Sequence, residues 1–192
     1  MSNSSQDRNA ANAPQKLDLA SHVLELSLQD FMSQKKLGDK AIGQLPDDGL
    51  FFAPNSESNS IAVIINHMYG NMLSRWTDFL TTDGEKENRN RDAEFETAAL
   101  DRHLLMERWD AGWNTLFFAL KAIQPEDLQR TIYIRGEAHT AIQAIHRQIS
   151  HYGYHVGQIV YIAKAYCASH WQTLSIPKGG SASFNKQMRE QA

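Results

Sequence analysis

Two long stretches of this chain, residues 58–74 and 148–163, contain no Asp, Glu, Lys or Arg. In both, apolar side chains recur at three and four residues, the period of a helix. A helix with no charge on any face belongs in an interior. The chain is therefore constrained to bury two helices, and with them the histidines they carry: His67 in the first, His151 and His155 in the second.

The rest of the chain reads as cover for that pair. Leu17, Ala20, Leu24, Leu28 and Phe31 mark a first helix ending by about Gly43. Pro46, Asp47, Asp48, Gly49, Pro54 and Asn55 then form a connection that no helix absorbs. Asn59 or Ser60 can cap a second helix, whose apolar positions continue through Trp76 and Phe79 to about Thr81. Residues 82–96 are the most charged segment and read as a solvated loop, long enough to carry the chain back as a crossover. A third helix, roughly residues 98–123, shows Leu105, Trp109, Trp113, Leu116, Leu120 and Ile123 on one stripe. Thr131, Ile132, Tyr133 and Ile134 look briefly strand-like, but one β-branched tetrapeptide does not predict a sheet. Thr140 with Gln143 makes a capping box and opens a fourth helix to about Ala168. The remainder, with Pro177, Gly179 and Gly180, reads as irregular. The expected fold is all-α, a four-helix bundle in one domain over residues 17–185, with a disordered leader at 1–16 and a tail at 186–192.

Charge and composition narrow the function. With 19 Lys and Arg against 22 Asp and Glu, a net charge of −3 gives no basic footprint for nucleic acid. The charge-free stretches contain Asn, Gln, Gly and His and are shorter than the roughly 20 apolar residues that span a bilayer, so no membrane attachment is expected. Met1 to Gln15 lacks the layout of a signal peptide, which predicts a cytoplasmic protein. The single cysteine, Cys167, reads as a small core residue.

The histidines carry the chemistry. Four residues turn a helix through about 400°, so His151 and His155 lie one above the other on one face and can reach one ion. His146 falls well around the helix from both and is left out. His67, on the other charge-free helix, is the natural third ligand. A buried imidazole needs a hydrogen-bond partner or a metal, and one ion satisfies all three. The blander reading stays open, because a lone histidine on an apolar face is commonly a satisfied core residue and a His-x-x-x-His pair recurs by chance. Position 152 is Tyr, so the His-Glu-x-x-His mechanism is not available. His22, His103, His139 and His170 lie near charged or polar segments and read as surface residues. Three neutral histidines on Zn²⁺, Ni²⁺, Mn²⁺ or Fe²⁺ leave a position open for water or substrate, the mark of a catalytic site. Asn71, Ser74 and Gln158 fall beside these histidines and are candidates to orient them or a ligand. Each can equally be a polar residue bonded within its own helix.

The chain resembles the DinB/YfiT-like superfamily, and more narrowly a bacterial subfamily of unknown function, over residues 17–185. The resemblance rests on Ser58-Asn-Ser-Ile-Ala62, His67-Met-Tyr-Gly-Asn-Met72, residues 74–86, Arg89-Asn-Arg-Asp92, residues 113–117, residues 133–137, the run from His151 to Lys164, Trp171 and residues 175–179. It implies a four-helix bundle of up-down-down-up order, with one metal ligand from the second helix and a His-x-x-x-His pair from the last. Here those positions are His67, His151 and His155. Val156 stands where the commonest form has Arg, and Gly157-Gln158 lies one residue further along.

The resemblance also implies a function. Characterised relatives include transferases and isomerases that use low-molecular-weight thiols such as bacillithiol or mycothiol, the metal activating the thiol. The expected activity is thus metal-dependent thiol transfer onto a small-molecule electrophile, in detoxification or stress response. Family members are often homodimers. Arg75, Arg89, Arg91, Arg135 and Lys178 are placed to receive an anionic ligand, or to pair with Asp78, Asp83, Asp92 and Glu137 as structural bridges. Two alternatives remain: a metal-dependent hydrolase, which needs a general base, and a non-enzymatic metal- or ligand-binding dimer.

Overall fold

A computed structural model describes residues 18–190; the expected leader, Leu17 and the last two residues lie outside the described part. Four long helices dominate: α1 (Leu19–Ile42), α2 (Ile61–Trp76), α3 (Arg102–Ala122) and α4 (Ala141–Cys167). A small hairpin of β1 (Thr131–Ile134) and β2 (Glu137–Thr140) precedes α4, and a short α5 (Ser181–Glu190) follows it. α1 packs chiefly on α4 and α2 chiefly on α3, while α2 also meets α4 and α1 meets α3. No described helix is long and apolar enough to cross a membrane.

Each long helix begins on a side-chain cap. Asp18 accepts from the amides of Ala20 and Ser21, Ser60 from Val63, Asp101 from Leu104, and Thr140 shares a reciprocal capping box with Gln143. Four aromatic residues, one from each long helix, lock the core: Phe31, Trp76, Trp113 and Tyr152, none more than 1% exposed. The Phe31 ring centre lies 5.7 Å from that of Trp76, 5.9 Å from Tyr152 and 6.5 Å from Trp113. Trp76 donates its indole N–H to the Tyr152 hydroxyl at 3.1 Å, which in turn donates to Asn71 Oδ1 at 2.9 Å. This bonded chain satisfies the buried polar atoms and pins α4 against α2 in one register.

Several boundaries differ from the sequence expectation. α2 stops at Trp76, not Thr81, because Thr77 is extended and Asp78 takes a left-handed φ of 49°. Phe79 keeps its apolar burial by stacking on Trp76, 5.0 Å between ring centres, rather than by continuing the helix. The tetrapeptide at 131–134 does find a partner: a two-residue turn with Arg135 at φ 57° and Gly136 at φ 75° folds β2 back onto β1, pairing Ile132 with His139. The C-terminal remainder, expected to be irregular, contains α5, which buries none of its residues.

The charged segment is the main correction. Within residues 82–96, the segment expected to be a solvated loop, Glu94 is buried and the Arg89 side chain is only 4% exposed. α2 receives this loop along the stripe Asn66, Gly70 and Ser74. Asn66 donates to the Glu94 carbonyl at 2.8 Å, and the Ser74 hydroxyl donates to the Gly84 carbonyl while accepting from the Lys86 amide. The hairpin is tied to the same loop, since Gly84 donates to the Tyr133 carbonyl at 2.8 Å.

Candidate metal centre

α2 and α4 bring His67, His151 and His155 together. One nitrogen of each lies within 4.8 Å of the others, and the ring centres are 4.7 to 5.6 Å apart. His67 and His155 are buried and His151 is partly so. Their positions follow from helix geometry: His151 and His155 share one face of α4, and the Tyr152 bonds to α2 turn that face toward His67.

The outward nitrogen of every ring is held by an oxygen. His67 Nδ1 meets Glu94 Oε2 at 2.8 Å, His151 Nδ1 meets Gln148 Oε1 at 3.3 Å, and His155 Nδ1 meets Gln158 Oε1 at 2.9 Å. A carboxamide oxygen only accepts, so Nδ1 of His151 and His155 carries the hydrogen and a neutral ring presents a bare Nε2 lone pair. The two Nε2 atoms stand 3.0 Å apart. Two bare acceptors at that distance repel unless a cation lies between them. Burial, with neighbouring His155 and His67 acting in the same direction, pushes the His151 pKa down to about 3. Burial also takes His155 down to about 4 against the opposing bond from Gln158. A tetrahedral ion with bonds of about 2.1 Å spaces its nitrogens about 3.4 Å apart, so the set closes with shifts on the order of an ångström.

Behind His67 stands a carboxylate that sequence reading missed. Arg89 donates to both oxygens of Glu94, Nε to Oε1 at 2.7 Å and Nη2 to Oε2 at 2.9 Å. Burial alone raises the Glu94 pKa, but the bonds from His67 and Arg89 outweigh it and hold the carboxyl below its ordinary range. Room for Glu94 comes from Gly70, where a Cβ would collide with the carboxylate. That glycine, one turn from His67 in an otherwise well-packed helix, was the available signal that another segment approaches there.

The remaining site candidates fall as follows. Asn71 accepts from Tyr152 and lines a cavity of about 470 Å³ floored by His67 and His151. Gln158 holds His155, and Gln148, not singled out from the sequence, holds His151 and also lines the cavity. Ser74 meets no imidazole and anchors the charged loop. Arg75 lines the cavity, nearly buried, bonded to the Gly84 carbonyl and paired with Glu85 at 3.2 Å. His22, His103, His146 and His170 are exposed, whereas His139, in β2, is half-buried.

Metal-free protein should lose stability as pH falls from about 6.5 toward 4. In that window the unfolded chain protonates histidines that the folded chain keeps neutral, so acid favours unfolding; above about 6.5 the imidazoles are neutral in both states and the effect vanishes. Thermal melts across this range in chelator, wild type beside the His151→Gln/His155→Gln double variant, read it directly. Equal slopes for the two proteins would contradict it.

A family model described as "Protein of unknown function (DUF1572)" matches residues 18–180, well over half of the chain. No curated protein and no solved structure matches.

Proposed function

Because this chain belongs to the DUF1572 family, whose description assigns no reaction, we propose from the site itself that His67, His151 and His155 hold one divalent cation in a metal-dependent enzyme. The observation that carries the reading is the convergence of the three imidazoles, with the Nε2 atoms of His151 and His155 facing at 3.0 Å and each of those rings met from behind by a glutamine side chain. Zn²⁺, Ni²⁺, Mn²⁺ and Fe²⁺ all suit such a donor set. When bound, the ion supplies Lewis acidity that lowers the pKa of a thiol or water brought to its open position.

The chain's own residues favour thiol transfer to a small-molecule electrophile over hydrolysis. Hydrolysis wants a general base at the site. The cavity beside His67 and His151 has no Asp or Glu in its lining among the described residues, and Glu94 is committed to His67 and Arg89. A low-molecular-weight thiol needs no protein nucleophile. Glu94, Gln148 and Gln158 fix the tautomer and direction of the three imidazoles, and Asn71 and Arg75 border the space a substrate enters. The same reading includes the DinB/YfiT-like bundle of up-down-down-up order, a cytoplasmic homodimer and a role in detoxification.

Elemental analysis of untagged protein tests the premise: about one ion per chain is expected after purification or after soaking with Zn²⁺, Ni²⁺ or Mn²⁺. Protein that stays empty ends the metalloenzyme reading; loaded protein goes to a screen of thiols with electrophiles, in which turnover without thiol would favour the hydrolase. Glu94→Gln and Gly70→Ala should each weaken metal binding by about 10- to 100-fold, one by removing the carboxylate and the other by displacing it. Competition against a chelating dye reads both, and wild-type affinity in both would mean that Glu94 does not orient His67.

A further inference from the structure

The cavity over His67 and His151 carries more positive charge than its neighbours neutralise. Five guanidinium groups line it, those of Arg75, Arg89, Arg91, Arg135 and Arg147. Three carboxylates answer them. Glu85 lies 3.2 Å from Arg75, 3.1 Å from Arg89 and 3.3 Å from Arg135, and Glu94 holds Arg89. Asp83, bonded to the Arg135 amide, is the third, so five cations against three anions leave two positive charges in excess. Arg91 and Arg147 are exposed and meet no carboxylate among the described residues; Arg91 lies over the Phe95 ring at 5.3 Å. Arg75, 5% exposed, keeps a buried Nε without a hydrogen-bond partner. The buried Arg75 and Arg89 are balanced by acids, so the uncompensated charge at the cavity is that of Arg91 and Arg147, which are exposed and open to an anion from solvent.

The hairpin brings in one of these charges. Asp83 accepts from both turn amides, Arg135 at 2.8 Å and Gly136 at 2.7 Å, and so sets Arg135 at the cavity in a left-handed conformation. A dedicated loop-to-hairpin clamp that adds a fifth like charge to a cationic wall makes sense if the wall receives an anion.

We propose that this cavity is the subsite for a small dianion, the phosphate-monoester or dicarboxylate end of the substrate or co-substrate, held by Arg91, Arg147 and Arg135 with the reacting end toward His67 and His151. The placement of the reacting end rests on the metal-dependent reading; the anion site does not. Guanidinium forks match both groups, because each offers paired anionic oxygens.

Calorimetric titration of the full chain with inorganic phosphate and with succinate, as purified and after metal removal, tests this. Saturable binding of either anion is expected in both preparations, and the tighter of the two identifies the class. Arg91→Gln and Arg147→Gln should each weaken it about tenfold, while Lys121→Gln, which removes a charge elsewhere, should not. Both arginines are exposed, so the variants are expected to fold, and circular dichroism verifies it. No saturable binding, binding indifferent to both arginine variants, or binding present only with metal would overturn the proposal. Metal content is measured on the same samples, so an empty wild type that still binds phosphate fails the metal reading alone.

Discussion

Alanine at His67, His151 or His155 is expected to lower metal affinity by more than about 100-fold, beyond the loss typical of removing a partner behind a ligand. Two nitrogens do not hold a divalent ion against solvent as three do, and in this site each ring is already oriented by its own oxygen partner. His146→Ala is the control, since His146 lies on α4 but is exposed. Plasma mass spectrometry after dialysis should find metal near one equivalent in wild type and the control, and close to none in the three variants. A variant that keeps its metal is not a ligand, and retention in all three would reduce the cluster to core histidines. The melting temperature adds a separate reading. Metal-free His151→Ala should lose no more than a modest amount of stability, because removing His151 also removes the 3.0 Å approach of two bare nitrogens.

Phe31→Ala is expected to cost about 3–5 kcal/mol, the largest single effect on the fold. Its ring is fully buried and packs against Trp76, Trp113 and Tyr152 from the other three long helices. Those large aromatic rings cannot move inward without breaking the Trp76–Tyr152–Asn71 hydrogen bonds, so the cavity stays open. For a chain of this size the melting temperature should fall by about 6–20 °C. A loss under about 1 kcal/mol in denaturant titration would mean that the aromatic hub repacks freely. Because Tyr152 adjoins His151 and joins α4 to α2, the same variant should also loosen metal binding in the folded protein.

Much of this molecule was legible from residue order. The caps at Ser60 and Thr140, the apolar stripe of α3 and the two charge-free helices that carry the histidines are local patterns, and the chain realises them nearly in place. The helical period put Asn71 and Ser74 beside His67; Asn71 borders the cavity with it, whereas Ser74 bonds the charged loop instead. The His151–His155 pair needed only the 3.6-residue turn.

What residue order could not tell lies where distant segments meet. Residues 82–96 have the composition of a solvated loop, and composition cannot distinguish a charge in water from one paired in the interior. Glu94 is buried because Arg89 and His67 neutralise and bond it, and because Gly70 leaves a gap of its size. The tetrapeptide at 131–134 is too short to commit to a strand, and becomes one because Asp83, some fifty residues earlier, captures the amides of the turn beyond it. α2 ends at Trp76 although its apolar period runs on, because Phe79 buries as well by stacking on that ring as by another helical turn. The three-histidine cluster was a matter of spacing along two helices, which the chain encodes locally. The carboxylate behind His67 and the arginine wall depend on long-range electrostatics and packing, which exist only once the segments are assembled.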